Sequence, residues 1–286
     1  MTRDSGRQAR PRFTRDHVSS IGASSRERVT WTLLALPLLL LLAVPIVLLV
    51  GRASPGAIAR ELTDGETRDA IVLSLVTSVI SLGVTILLGT PLALYLARTR
   101  SRLGAILETF VDLPTVLPPS VAGVALLLAL GRTSVLGGWL HGRGLDIAFT
   151  PLAVVVTQVF VASPFFVRSA RAGFASVPRD MLEASIIDGA TGWTLLTRVT
   201  GPLSIRSLGA GAAMSWSRAL GEFGATMIFA GSLPGVTRTM PIAVYVGFES
   251  SLELAIVLST ILIALSLMLL VVARAIGWRE SMGQAR

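Results

Sequence analysis

The chain of 286 residues is 52% hydrophobic and 15% charged, with a mean hydropathy of +0.72, outside the range of soluble globular domains and indicative of an integral membrane protein. All 25 basic residues are arginine, so the chain lacks the lysine that a Walker-type nucleotide loop requires. It also lacks cysteine, its two histidines (His17 and His141) lie in different loops, and no Ser-His-Asp or paired-carboxylate pattern occurs; no metal, cofactor or catalytic residue is expected.

Residues 1–30 are rich in arginine and serine without apolar periodicity, which predicts a disordered, lipid-facing tail. Six runs then follow that are long and apolar enough to cross roughly 30 Å of hydrocarbon: residues 31–50, 70–97, 114–131, 151–170, 203–231 and 252–273. None alternates as barrel strands do, and lipid leaves no backbone group unpaired, so all six are expected to be helices. The first is too long for a signal-peptide core, and Gly51-Arg52-Ala53 is a poor cleavage site. With residues 51–69 it makes a preface to the core.

The second run carries Ser74, Thr77, Ser78, Ser81, Thr85 and Gly89 at steps of three and four, a small and polar stripe along one helix face. Such a stripe suits close helix packing or the lining of a polar pathway, which makes Ser78 and Ser81 pathway candidates. The third run opens on Asp112-Leu113-Pro114-Thr115-Val116-Leu117-Pro118-Pro119. Its prolines remove donors, so the segment is either a broken backbone at a pore, with Pro118 and Pro119 as gate candidates, or a helix start. In the fifth run Arg218 and Glu222 lie one turn apart and can pair, offsetting each other's cost in lipid. They form either a clamp or an electropositive point on an anion path. Arg238, in the last outer loop between Gly235 and Pro241, is either a solvated charge or an attractor of anions or of an acidic partner.

Arginine placement sets the orientation. With the N-terminus inside, only Arg52, Arg60, Arg68, Arg132, Arg143 and Arg238 fall outside and Arg218 falls within a span; every other arginine of the 25 is cytoplasmic, as the positive-inside bias requires. Both termini are therefore expected in the cytoplasm. The net charge of +8 follows from topology and from attraction to the anionic bilayer surface, without a nucleic-acid partner.

Between the fourth and fifth runs lies a polar, arginine-flanked loop, residues 176–202. Ser176 is a candidate cap and Pro178 a first-turn residue for a short helix through Asp188; Gly189 supplies the turn, and a second short helix starts at Thr191 or Gly192 and ends at Pro202. A helix-turn-helix of mixed charge is shaped for another protein's groove rather than for lipid.

This loop resembles the coupling loop of binding-protein-dependent ABC importer permeases, in which Glu-Ala-Ala, three residues, Gly, nine residues and Ile-x-Leu-Pro recur. Here the positions read Glu183-Ala184-Ser185, Gly189, Val199, Gly201 and Pro202, with Ser, Val and Gly as departures. The resemblance implies an all-α, polytopic fold of six transmembrane helices, the type I ABC importer permease fold. The core covers residues 70–273, followed by a cytoplasmic tail, 274–286. It also implies that Glu183, Ala184, Asp188, Gly189 and Pro202 dock on a separate ATP-binding subunit, which hydrolyses the ATP. The run from Leu113 to Pro119, together with residues 218–225 and 229–241, is similar to the molybdate/tungstate permeases, with sulfate/thiosulfate permeases as near relatives. The expected assembly is a homodimer in a bacterial inner membrane, served by an ATP-binding subunit and an extracytoplasmic molybdate-binding protein. An ion-coupled secondary transporter is the alternative class; it needs mid-membrane ion-binding groups, which the spans nearly lack outside Arg218 and Glu222.

Overall fold

The computed structural model describes residues 25–99 and 101–283, with side chains from residues 29–99 and 101–271. Most of the expected tail 1–30, and the side chains of 272–286, lie outside these residues. The chain divides into two units at Gly51. The first holds all but the last residue of α1 (Ser25–Arg52), a continuous helix through Pro37 and Pro45 that starts before the expected 31.

Every regular element among the described residues of the second unit is a helix. A short α2 (Pro55–Thr63) is capped by Ser54. Asp64 then caps α3 (Gly65–Arg98), whose 34 residues extend about 50 Å at 1.5 Å per residue, longer than a hydrocarbon core. Its small face (Ser74, Thr77, Ser78, Ser81, Thr85, Gly89) is buried, while Val72, Val76, Val79, Ile80, Leu87 and Leu88 point outward. This inversion suits lipid, where large apolar side chains gain nothing by association and small ones let backbones approach. A Cβ on Gly89 would lie 2.9 Å from the Phe166 ring of α7 (Pro151–Ala175). A Cβ on Gly211 of α11 (Ile205–Leu220) would likewise lie 2.7 Å from Ser169 Cβ of α7. The helices α3, α7 and α11 thus pack tightly on one another, with Phe166, Val167 and Ala170 in their shared core.

Two expected spans are not single helices. The third, expected over 114–131, is replaced by α4 (Arg102–Val116) and α5 (Pro119–Leu130), bent by 118° at their junction. Pro114 is accommodated inside α4, but Pro118 and Pro119 together remove two consecutive donors and end it. The fifth, expected over 203–231, is divided into α11 and α12 (Gly224–Phe229) by a break at residues 221–223. Between α5 and α7 lies α6 (Val135–His141). After α12 come α13 (Met240–Ser250) and α14 (Leu252–Gly283), the last running beyond the expected end at 273. Among the described residues, four helices are long and apolar enough to cross a membrane alone, and the bent α4–α5 pair makes five if counted as one span. Six crossings, with α11 and α12 as a further broken one, are compatible with this arrangement.

Candidate functional site

The loop after α7 is built from α8 (Arg179–Ile187), α9 (Gly192–Leu195), a π-helical turn (Leu196–Thr200) and α10 (Gly201–Leu203). Ser176, expected to cap α8, instead closes α7: its N–H bonds to Ala172 O and its hydroxyl donates to Gly173 O at 2.8 Å. Pro178 occupies the cap position itself. The chain then turns at Gly189, whose φ is +85°, a left-handed value that costs any residue with a Cβ. Thr191 caps α9. Pro202 does not end the second helix as expected. It lies in the first turn of α10, where its missing N–H and fixed φ are tolerated, and the chain bends two residues later at Ser204.

Glu183, Ala184, Asp188 and Gly189 are all exposed, and α8 has no buried residue. Among these charges stand Met181, Ile186, Ile187 (85% exposed) and Trp193 (75% exposed). Sequence reasoning missed this apolar element, which was readable as aliphatic and indole side chains in an otherwise polar loop. Large apolar side chains exposed among charges are characteristic of a protein interface. Leu195 and Thr200 are buried and anchor the loop, and Arg98 Nη2 at the end of α3 reaches Thr200 Oγ1 at 3.4 Å. The departure at Gly201 has a local cause: in the π turn its N–H bonds to Leu196 O, and a Cβ there would lie 2.7 Å from that oxygen.

The α4–α5 and α11–α12 breaks meet. A Cβ on Gly224 would lie 2.8 Å from Pro119 Cβ, and one on Gly123 the same distance from Ala225 O, so α5 and α12 cross almost in backbone contact, although Pro118 and Pro119 remain largely exposed. Arg218 Nη1 pairs with Glu222 Oε2 at 2.6 Å, the side chains being 31% and 1% exposed. Glu222 lies in the break rather than within a continuous helix. Its second oxygen accepts the Ala225 N–H at 3.0 Å, so one carboxylate closes α11 through Arg218 and starts α12. This capping role was not foreseen.

Ser78 and Ser81 are buried between α3, α7 and α11. Ser78 Oγ accepts from Trp216 Nε1 at 3.0 Å, and the Ser81 hydroxyl donates toward Gln158 Oε1 at 2.8 Å. Gln158, the amide within the fourth span, went unremarked in the sequence. Ser74 Oγ accepts the Met240 N–H at 2.7 Å. Arg238 stands apart, its Nη1 3.2 Å from Glu66 Oε2 and its Nε donating to Ser232 Oγ at 3.2 Å, which ties the loop before α13 to the start of α3. A further cluster lies between α5 and α7. Arg132 forks onto Asp146 at 2.9 and 2.7 Å, His141 Nδ1 is 2.8 Å from the same carboxylate, and Arg143 stacks 3.7 Å above the Trp139 ring. The hydrogen bond from Arg132 holds the Asp146 pKa below its ordinary value, opposed in part by desolvation and aided by His141.

Residues 89–277 match the family model for the binding-protein-dependent transport system inner membrane component. The chain is 38% identical over 235 residues to a probable transport system permease protein, NifC, of Clostridium pasteurianum, covering 82% of each chain. It is 37% identical over 241 residues to the molybdenum transport system permease protein ModB of Mycobacterium tuberculosis, covering 84% of this chain and 90% of that one. A crystal structure of a bacterial alginate ABC transporter, in complex with its alginate-bound periplasmic protein, superposes with a TM-score of 0.70 over 89% of this chain and 95% of that chain at 17% identity, a likeness of fold.

Proposed function

This chain belongs to the binding-protein-dependent transport system inner membrane components, and from that premise we propose that it is the permease of an ATP-driven importer whose cargo is molybdate. The carrying observation is the loop 176–202, a charged projection with exposed Met181, Ile186, Ile187 and Trp193 and a left-handed Gly189 at its turn. A P-loop ATPase docks on this surface from the cytoplasm, since the chain lacks the lysine of a nucleotide loop of its own. Two copies of the chain enclose the pathway, a binding protein delivers the anion from outside, and both termini are cytoplasmic. Closure of the ATPases drives the loops together and opens the pathway outward. Glu183, Ala184, Asp188, Gly189 and Pro202 shape the docking element. Arg218 and Glu222 clamp the α11–α12 break beside Pro118 and Pro119, where the crossing of two broken helices is suited to act as a gate. Ser78 and Ser81 pack the helices that hold it, and Arg238 fixes the outer loop. The molybdenum permease among the relatives supports the choice of cargo.

The test is uptake in proteoliposomes holding this chain, a co-expressed P-loop ATPase and a molybdate-binding protein. Radiolabelled molybdate should enter only with ATP inside and should be competed by tungstate more than by sulfate. Stronger competition by sulfate would assign a sulfate importer; uptake driven by an ion gradient without the ATPase would assign a secondary transporter.

A further inference from the structure

Two carboxylates of α4 face two guanidinium groups of α7 near the end from which the exposed loop departs. Glu108 and Asp112 are four residues apart and share one face of α4, while Arg168 and Arg171, three apart, share one face of α7. Arg168 Nε donates to Asp112 Oδ1 at 2.5 Å, and Arg171 Nη1 pairs with Glu108 Oε1. Leu107 and Val111 of α4 pack beside them on the cluster that contains Phe166, Ala170 and Phe174. Apolar packing alone is non-directional and permits sliding; two ion pairs at separate points along α7 set the register of α4 against it.

The two ends of this connection differ in stiffness. On one side, only residues 176–178 separate α7 from α8, so a displacement of the loop acts directly on the arginine-bearing turns. On the other side, α4 ends at a junction with two prolines, beyond which α5 departs at 118°, and the missing donors leave the bend free of a continuous helical ladder. We infer that the Glu108–Arg171 and Asp112–Arg168 pairs form a mechanical linkage that passes movement of the loop to the broken α4–α5 segment. They are positioning residues for opening of the pathway. The inference rests on the permease reading above. It goes further in assigning the transmission to four named side chains outside the coupling motif. Because both pairs are half-exposed, they contribute little to folding, so their loss separates coupling from assembly.

The experiment uses the full chain with its ATPase and binding protein. Glu108→Gln with Asp112→Asn should leave assembly and ATP hydrolysis near wild type and lower molybdate uptake per ATP about tenfold, a usual size for coupling between sites. Exchanging the charges of both pairs, Glu108→Arg with Arg171→Glu and Asp112→Arg with Arg168→Asp, should restore much of that ratio. Uptake and hydrolysis falling in proportion, unchanged uptake, or failure of the exchange to restore coupling would each overturn the linkage. The natural chain has no cysteine, so Leu103→Cys on α4 and Arg179→Cys on α8 can carry unique spin labels in the purified chain. Their distance distribution should be narrow in the parent and broad once both carboxylates are neutralised. This second readout needs neither ATPase nor molybdate, so equal widths overturn the linkage even where the transport assignment itself has failed.

Discussion

Replacing Gly189 by valine tests the exposed loop at its least forgiving point. The φ of +85° places a residue with a Cβ in left-handed backbone at a cost of about 1 to 2 kcal/mol, and β-branching adds to it. No atom lies within 4 Å of where that Cβ would stand, so the cost is one of backbone conformation alone. Nor does burial hold the turn in place, since α8 has no buried residue. The turn should therefore relax rather than store the strain, and its native population should fall about tenfold for each 1.4 kcal/mol. The remainder of the chain, packed through α3, α7 and α11, should insert and fold normally. Gly189→Asn, which tolerates left-handed backbone better, should be the milder variant. The assay is pull-down of the co-expressed ATPase together with ATP-dependent molybdate uptake; Gly189→Val should lose both while surface expression is kept. Wild-type association and uptake in that variant would refute the claim that the geometry of this turn matters to docking.

Four further outcomes are expected. Arg218→Leu leaves the carboxylate of Glu222 without its cation and should destabilise by about 3 to 5 kcal/mol, measured by thermal unfolding in detergent; the double change with Glu222→Leu should recover part of this, but not all, because α12 also loses the bond to Ala225 N. Gly201→Leu should disrupt the π turn, since its Cβ would lie 2.7 Å from Leu196 O, and lower uptake at normal expression; full uptake would show that the turn re-forms as ordinary α-helix without consequence. Arg132 holds the Asp146 pKa below its ordinary value, so the carboxylate's contribution to the hairpin between α5 and α7 is complete above the ordinary carboxylate range and is lost as pH falls through the lowered folded value; hydrogen exchange should separate Arg132→Ala from the parent at neutral pH and not in strong acid. Reporter fusions after Arg100 and Arg179 should read cytoplasm, and those after Asp64, Arg143 and Arg238 exterior; a cytoplasmic signal at Arg143 would break the helix count.

Much of the architecture was written locally. Apolar run length alone marks α1, α3, α7 and α14, because a span must satisfy its own backbone in lipid. The serine and threonine stripe of α3 marked its packed face because small residues are what admit a neighbouring backbone, and Gly189 marked a turn because glycine occupies left-handed φ freely. What local pattern could not supply was where an apolar run stops being one helix. Residues 203–231 read as one span, yet they divide at Glu222, because a buried carboxylate finds two partners only if α11 ends and α12 begins around it. Glu108, Asp112, Arg168 and Arg171 share no pattern in the sequence; they become two ion pairs when folding brings α4 alongside α7. Periodicity and composition act within one element and are therefore legible in sequence. The partner of a charge and the angle at a proline break depend on residues dozens of positions away, and only the packed tertiary structure decides them.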